Sequence, residues 1–362
     1  MIKAEIRAEA ERLFAAFQSA GAQPVEADIL LPADMLLDLY GEDIRARAYV
    51  TQDPLRGEMV LRPDFTVPVV QAHMAHGADP ARYTYMGEVF RKQDTLRPRA
   101  AEYLQVGFEV FDRTAPEEAD AEVFALFTEL LAPLRVQPQI GDIGILMAAV
   151  HGLQTTETRR AALLRHVWRP RRFRHLLDRY AGRTGPHPAR VRLLKALEEG
   201  ALPKTGPHIG LRSASEIAAR IHALAEDADT PSIPARQATL LEDLMALSAP
   251  APQALERLRD LAVDMPHISV AVERFGARLT ALKARGIVVD DLPFETTHGR
   301  TTLEYYDGFV FTFHAADPGL PVVASGGRYD ALTRVLGQGQ SIPAVGGIIR
   351  PHLVAQLRAE GC

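Results

Sequence analysis

The stretch 103–111, Tyr103-Leu104-Gln105-Val106-Gly107-Phe108-Glu109-Val110-Phe111, decides the reading of this chain. Its side chains alternate with period two, the repeat of an extended strand and not of a helix. Leu104, Val106, Phe108 and Val110 share one face, while Gln105, Gly107 and Glu109 share the other. The apolar face needs a core to lie on. The polar face either meets water or covers a ligand, with Gly107 leaving room for it. The strand alone leaves both readings open.

Working outward, 83–91 (YTYMGEVFR) is a second strand, dominated by aromatic and β-branched residues and closed by Arg91. Residues 57–62 (GEMVLR) predict a strand that ends at Pro63. Thr66 is then placed to cap a helix through Val69, Val70 and Met74, with Pro68 in its first turn, where a missing N–H costs little. Towards the N-terminus, Ile6, Leu13, Phe14 and Phe17 form a helical stripe, and Ile29-Leu30-Leu31 run extended into Pro32. On the other side, Val123, Phe124, Phe127, Leu130, Leu131 and Leu134 recur at helical spacing.

From about 151 to 280 strand-like alternation disappears, and helical patterns are separated by breaks such as RTGPHPAR and LPKTGPH. Strand patterns return near 287–289, at 305–313 (YYDGFVFTF) and at 321–324, after which Gly326-Gly327 is expected to open a helix. This order predicts an α+β fold, a mostly antiparallel sheet flanked by helices. Residues 1–150 and 281–362 would form the core domain, with 151–280 a helical insertion.

Of the 362 residues, 47% are apolar and 24% charged, which suits a globular chain with a sizeable core. A formal net charge of −5 argues against nucleic-acid binding through overall charge. Cys362 is the only cysteine, so one chain holds no disulfide and no thiolate metal site. The histidines show no ligand-pair spacing, and no metal is expected. Glu5, Glu9 and Glu11 break any apolar run at the N-terminus, and no stretch approaches the roughly 20 apolar residues of a membrane span. A soluble, cytoplasmic protein is expected.

Six segments carry a resemblance: LRPDFT at 61–66, FRKQ at 90–93, QVGFEVF at 105–111, YYDGFVF at 305–311, SGGRYDAL at 325–332 and PAVGG at 343–347. In this order and at this spacing they resemble histidyl-tRNA synthetase and its paralogues, over roughly residues 5 to 350. The resemblance implies a class II aminoacyl-tRNA-synthetase-like sheet and a pocket for histidine. In that pocket Asp64, Thr66 and Gln105 would hold the ammonium, Glu109 and Tyr306 would grip the imidazole, and Tyr329 would form a wall. Arg91 would orient the carboxylate, and Arg99, in the same hairpin, would be an anion- or phosphate-binding residue. Such chemistry is what a buried zwitterion needs, because buried charges require partners. Asp64 stands where the synthetases carry Glu, one methylene longer.

The departures point away from catalysis. Synthetases place an arginine two residues before a leucine-acid-Tyr-Tyr stretch; here Thr301 occupies that position in Arg300-Thr301-Thr302-Leu303-Glu304-Tyr305-Tyr306, and Arg300 is one residue off. A shift of one along a strand sends a side chain to the opposite face. The third signature motif ends in an ATP-pairing arginine, whose place is taken by Leu353, and Pro351 is expected to break the helix there. Losing one such donor costs about 2.7–4 kcal/mol of transition-state stabilisation. The synthetases also continue into an anticodon-binding domain, for which no residues remain here.

The paralogue with these features is the regulatory subunit of the short-form ATP phosphoribosyltransferase, which opens histidine biosynthesis. The resemblance therefore implies a non-catalytic subunit with no cofactor. It would associate with the short catalytic subunit, support its activity and its feedback by histidine, and dimerise through the region of Pro32. Pro32 could equally be an ordinary strand terminator. The alternative is a truncated enzyme that still adenylates histidine. A helix rich in arginine (Arg159, Arg160, Arg165, Arg169, Arg171, Arg172, Arg174) is either a docking or former tRNA surface or the solvated face of a core helix. The apolar stripe beside it favours the solvated face.

Overall fold

The computed structural model describes residues 3–34, 48–93, 100–200, 213–299 and 305–361. Among these, the chain forms strands β1 (Gln23–Pro24), β2 (Leu30–Pro32), β3 (Val50–Asp53), β4 (Gly57–Leu61), β5 (Ala81–Phe90), β6 (Glu102–Phe111), β7 (Val136–Asp142), β8 (Ser248–Pro250), β9 (Pro293–Glu295), β10 (Phe309–Ala315), β11 (Ala324–Arg328) and β12 (Ala344–Ile349). The helices are α1 (Lys3–Ser19), α2 (Thr66–His76), α3 (Pro116–Leu131), α4 (Ile143–His151), α5 (Glu157–Arg165), α6 (Pro170–Tyr180), α7 (Pro188–Glu198), α8 (Ala214–Asp229), α9 (Ala235–Ala246), α10 (Ala251–Asp264), α11 (Ser269–Ala284), α12 (Asp330–Leu336) and α13 (Pro351–Glu360). No described helix is long and apolar enough to cross a membrane.

Nine strands form one sheet in the order β1-β5-β6-β12-β11-β10-β7-β9-β8, and β2-β4-β3 form a separate small one. The large sheet is antiparallel except where the short strands β1 and β9 pair with β5 and β7, which makes it mixed. The α+β architecture expected from the order of patterns is the one observed.

The alternation of 103–111 sets the two faces. Val106, Phe108 and Val110 lie under α1 and α3, where Phe17 stacks on Phe108 at 5.2 Å and on Phe127 at 5.5 Å. From α3, Phe124 meets Phe309, Phe311 and Phe313 of β10. These aromatic rings supply the large apolar areas that dominate a core. The opposite face is not solvated. Gln105, Gly107 and Glu109 are all buried, so the strand is covered on both sides.

Local chemistry explains several departures from the sequence pattern. Thr66 does not cap α2; Phe65 occupies that position, and the Thr66 hydroxyl is directed to Glu109 instead. Residues 287–289 form no strand, the next one being β9, and Tyr305 to Gly308 lead into β10 without belonging to it. Gly326 and Gly327 lie within β11, and the following helix opens at Asp330. Pro351 starts α13 instead of breaking it, because the first helical N–H has no partner to lose.

The expected helical insertion is also cut differently. Only helices occur among the described residues from 157 to 246, but β8 then joins the sheet and α11 runs across position 280. Arg278 of α11 is fully buried between Asp120 of α3 and Asp142, which binds this helix to the main core. The arginine-rich segment is two helices, α5 and α6. Arg159 is buried, with Nε donating to Asp227 at 2.5 Å, while Arg165, Arg171, Arg172 and Arg174 are exposed to solvent.

Candidate functional site

On the buried polar face of the sheet, cross-strand partners point the same way. Tyr85 of β5 pairs with Gly107, and Glu109 pairs with Gly346 of β12, which in turn pairs with Gly327 of β11. The glycines leave this floor bare, and neighbouring side chains lie across it. A Cβ at Gly346 would fall 1.5 Å from Glu109 Oε2, one at Gly107 would fall 2.1 Å from the Tyr85 ring, and one at Gly327 would fall 2.8 Å from the Tyr306 ring. On the other side of the same patch, a Cβ at Gly326 would strike the Phe311 ring at 2.3 Å. Gly326 pairs with Gly347, and Gly327 with Gly346, so four glycines meet where β11 and β12 run together.

Glu109 is the centre of the arrangement. The hydroxyls of Tyr85 and Thr66 donate to its Oε1 at 2.9 and 3.2 Å, and that of Tyr329 donates to Oε2 at 2.6 Å. Burial pushes its carboxyl up to about 7, with the nearby Asp64 charge adding to the rise and the three hydroxyls opposing it. A carboxylate offers about four acceptor positions, so these donors leave room for about one more. Tyr305 donates to Thr66 Oγ1 at 3.3 Å, extending the chain of hydroxyls. Burial raises Tyr85, Tyr306 and Tyr329 above the ordinary tyrosine value, so all three stay protonated and able to donate.

Gln105, on the same face of β6, has no solvent exposure, and neither its Oε1 nor its Nε2 has a hydrogen-bond partner among the described residues. A buried amide left unpaired costs roughly 1–3 kcal/mol, so a side chain in this state is suited to a ligand that pairs with it. At the same end, Arg91 donates through Nε to the Pro63 carbonyl at 2.9 Å and lies within electrostatic range of Tyr306.

Asp64, Thr66 and Tyr329 thus meet at Glu109, with Gln105 on the same strand face and Arg91 at the edge. Thr66 is joined to Glu109, and Tyr306 lies against Gly327 with no described hydrogen bond to Glu109. Arg99 and the segment Arg300 to Glu304 lie outside the described residues. Sequence reasoning missed Tyr85 and set Arg350 outside the pocket. Tyr85 gives no signal within its own strand, because its place opposite Gly107 depends on the register between β5 and β6. Arg350 follows β12, and its Nη1 donates to the Val322 carbonyl at 2.6 Å. Leu353, by contrast, is buried in the core.

The sequence matches the family model for histidyl-tRNA synthetase over residues 3–205 and 210–352. It is 32% identical over 353 residues to an ATP phosphoribosyltransferase regulatory subunit of Brucella anthropi, covering 90% of each chain. A regulatory subunit of the same name from Brucella ovis is 32% identical over 351 residues, again covering 90% of each. The fold is similar to that of an ATP phosphoribosyltransferase regulatory subunit/histidyl-tRNA synthetase from Bacillus halodurans, with a TM-score of 0.68 at 20% identity over 98% of this chain and 79% of that one. It is also similar to histidyl-tRNA synthetase from Nostoc, with a TM-score of 0.62 at 18% identity over 98% of this chain and 71% of that one. With its sequence and its fold pointing the same way, this chain belongs to the histidyl-tRNA-synthetase-like family of ATP phosphoribosyltransferase regulatory subunits.

Proposed function

We propose that this chain is the non-catalytic regulatory partner of a short-form ATP phosphoribosyltransferase catalytic subunit, and that it holds free histidine without activating it. One combination of features carries the reading. A polar cradle of Glu109, Gln105, Thr66, Asp64 and Tyr329 persists, while Leu353 is buried in the core where an adenylating synthetase carries its ATP-pairing arginine. Glu109 then accepts an imidazole N–H at its remaining position, Asp64 and Gln105 take the ammonium, and Arg91 meets the carboxylate.

Regulation follows if histidine, or the catalytic subunit's substrate, prefers one arrangement of the complex; the coupling is reciprocal between the two sites. Self-association is part of the reading. The small sheet β2-β4-β3 and its surroundings expose Ile29, Leu30, Val50 and Leu55, large apolar side chains suited to burial against a second copy. The helices between 157 and 246 form an inserted layer beside the core. The complex works in the cytoplasm with no cofactor of its own on this subunit.

Mixing experiments test the reading. The purified chain should give no histidine-dependent ATP–pyrophosphate exchange, and adding it to a short catalytic subunit should raise phosphoribosyl transfer and make it sensitive to histidine. Robust exchange by this chain alone would establish the alternative, a truncated histidine-activating enzyme.

A further inference from the structure

Among the described residues, three buried arginines are matched by carboxylates, whereas buried Arg62 is held by the carbonyls of Ala27 and Glu88. Arg159 is held by Asp227, Arg278 by Asp120 and Asp142, and Arg328 by Asp120 and Asp330. Arg350, largely buried, has no carboxylate partner among the described residues. It reaches the Val322 carbonyl and the Tyr103 hydroxyl, and a second cation, Arg91, lies within electrostatic range. Burial, with Arg91 beside it, lowers the Arg350 pKa from the ordinary arginine value. Two guanidiniums within electrostatic range repel each other, and an anion shared between them would offset that repulsion.

The register says which anion. In the β12–β6 pairing Gly346 faces Glu109, Gly347 faces Phe108, Ile348 faces Gly107 and Ile349 faces Val106. Carried one step beyond the end of β12, the same register sets Arg350 opposite Gln105. Partners across a ladder share a face, so Arg350 belongs to the same floor as Glu109 and the unpartnered Gln105 amide. Four residues of strand separate Gln105 from Glu109, about 13 Å between their Cα atoms. The floor therefore runs from an acidic, hydroxyl-rich end to an end with an open amide and two arginines. That polarity fits an amino acid lying with its side chain at Glu109 and its carboxylate at the arginines.

We infer that Arg350 is a ligand-binding residue of this pocket, which together with Arg91 clamps the carboxylate of the bound amino acid. This rests on the histidine-holding reading above, and it adds a residue, a position at the end of β12 and a selectivity: the pocket rejects amines that lack the acid. The arginine that serves the carboxylate comes from the strand end just before Pro351, not from the buried position 353.

Calorimetric titration of the full-length chain with L-histidine and with L-histidinol, in which an alcohol replaces the carboxylate, tests the assignment. Wild type should bind histidine at least tenfold more tightly than histidinol. Arg350→Gln should lose at least tenfold in histidine affinity and leave histidinol unchanged, which also shows that the variant is folded. Arg350→Lys, keeping charge without the planar fork, should fall between. Equal affinity of wild type for the two ligands, or a histidine affinity untouched in Arg350→Gln, overturns the clamp while leaving the pocket intact. Wild type binding neither ligand overturns the pocket and the clamp together. Binding of inorganic phosphate that is lost in Arg350→Gln, with histidine affinity unaffected, overturns the carboxylate in favour of a phosphate.

Discussion

A carboxyl group buried among three hydroxyl donors and titrating near neutrality stands between two states, and its neighbours choose for it. Glu109 owes that position to Gly346, across which it lies. Gly346→Ala should displace the carboxylate and weaken histidine binding by at least tenfold, about 1.4 kcal/mol, with a stability loss of about 1–3 kcal/mol from the crowding. Calorimetry and urea unfolding on the same variant measure both, and an alanine that leaves histidine affinity unchanged removes Glu109 from the site. Gln105 and Glu109 were legible because strict alternation in 103–111 puts them on one face. Tyr85 and Arg350 were not, because their place depends on which residues lie opposite them in neighbouring strands, and alternation within one strand carries no information about register.

Between elements, the strongest ties are ionic and buried. Arg278 joins α11 to α3 through Asp120 and to the end of β7 through Asp142, both within 2.8 Å, and its guanidinium lies over the Phe309 ring. Removing one member of a buried pair leaves an uncompensated charge, which costs about 3–5 kcal/mol. Arg278→Met should lower the unfolding free energy by that amount, read from the urea midpoint; a loss below about 1 kcal/mol would mean that water reaches the two aspartates. The same ties explain why the boundary near 280 was misread. Helical periodicity marks α11 as a helix, but nothing local says that one of its buried residues, Arg278, is tied to a distant helix. The misplaced helix start at Gly326-Gly327 has a similar cause: a double glycine suggests a turn, and only close packing on both faces makes it a strand.

At the scale of the molecule, the five largest shifts among the described histidines and carboxyls dominate the response to pH. Burial holds His73, His298 and His352 down to about 4 from an ordinary 6.5. The unfolded chain therefore binds more protons between those values, and stability falls as pH drops through that window. Burial pushes Glu109 and Asp307 up to about 7, so the folded chain keeps protons that the unfolded chain has released, and stability falls as pH rises towards 7. Where the windows overlap, three histidines outweigh two carboxyls. The thermal midpoint should peak near pH 6.5, and the pair Glu109→Gln and Asp307→Asn should remove the alkaline decline and steepen the acid limb. A midpoint still climbing at pH 8 in wild type would contradict this assignment. None of these shifts is visible in the sequence, since each arises from burial that only the assembled sheet and helices create. The α+β class was visible, because strand and helix periodicities fall in separate blocks of the chain.

Where β11 and β12 run side by side, four glycines leave the sheet without side chains on either surface. The Phe311 ring presses on one side and Glu109 and Tyr306 on the other, so a single thickness of peptide divides the aromatic interior from the recess. Phe311 in turn meets Phe124 of α3, so peptide backbone alone separates Glu109 from that aromatic cluster. A methyl group at any of these four positions would strike what lies against it, so the wall stays thin only while all four remain glycine.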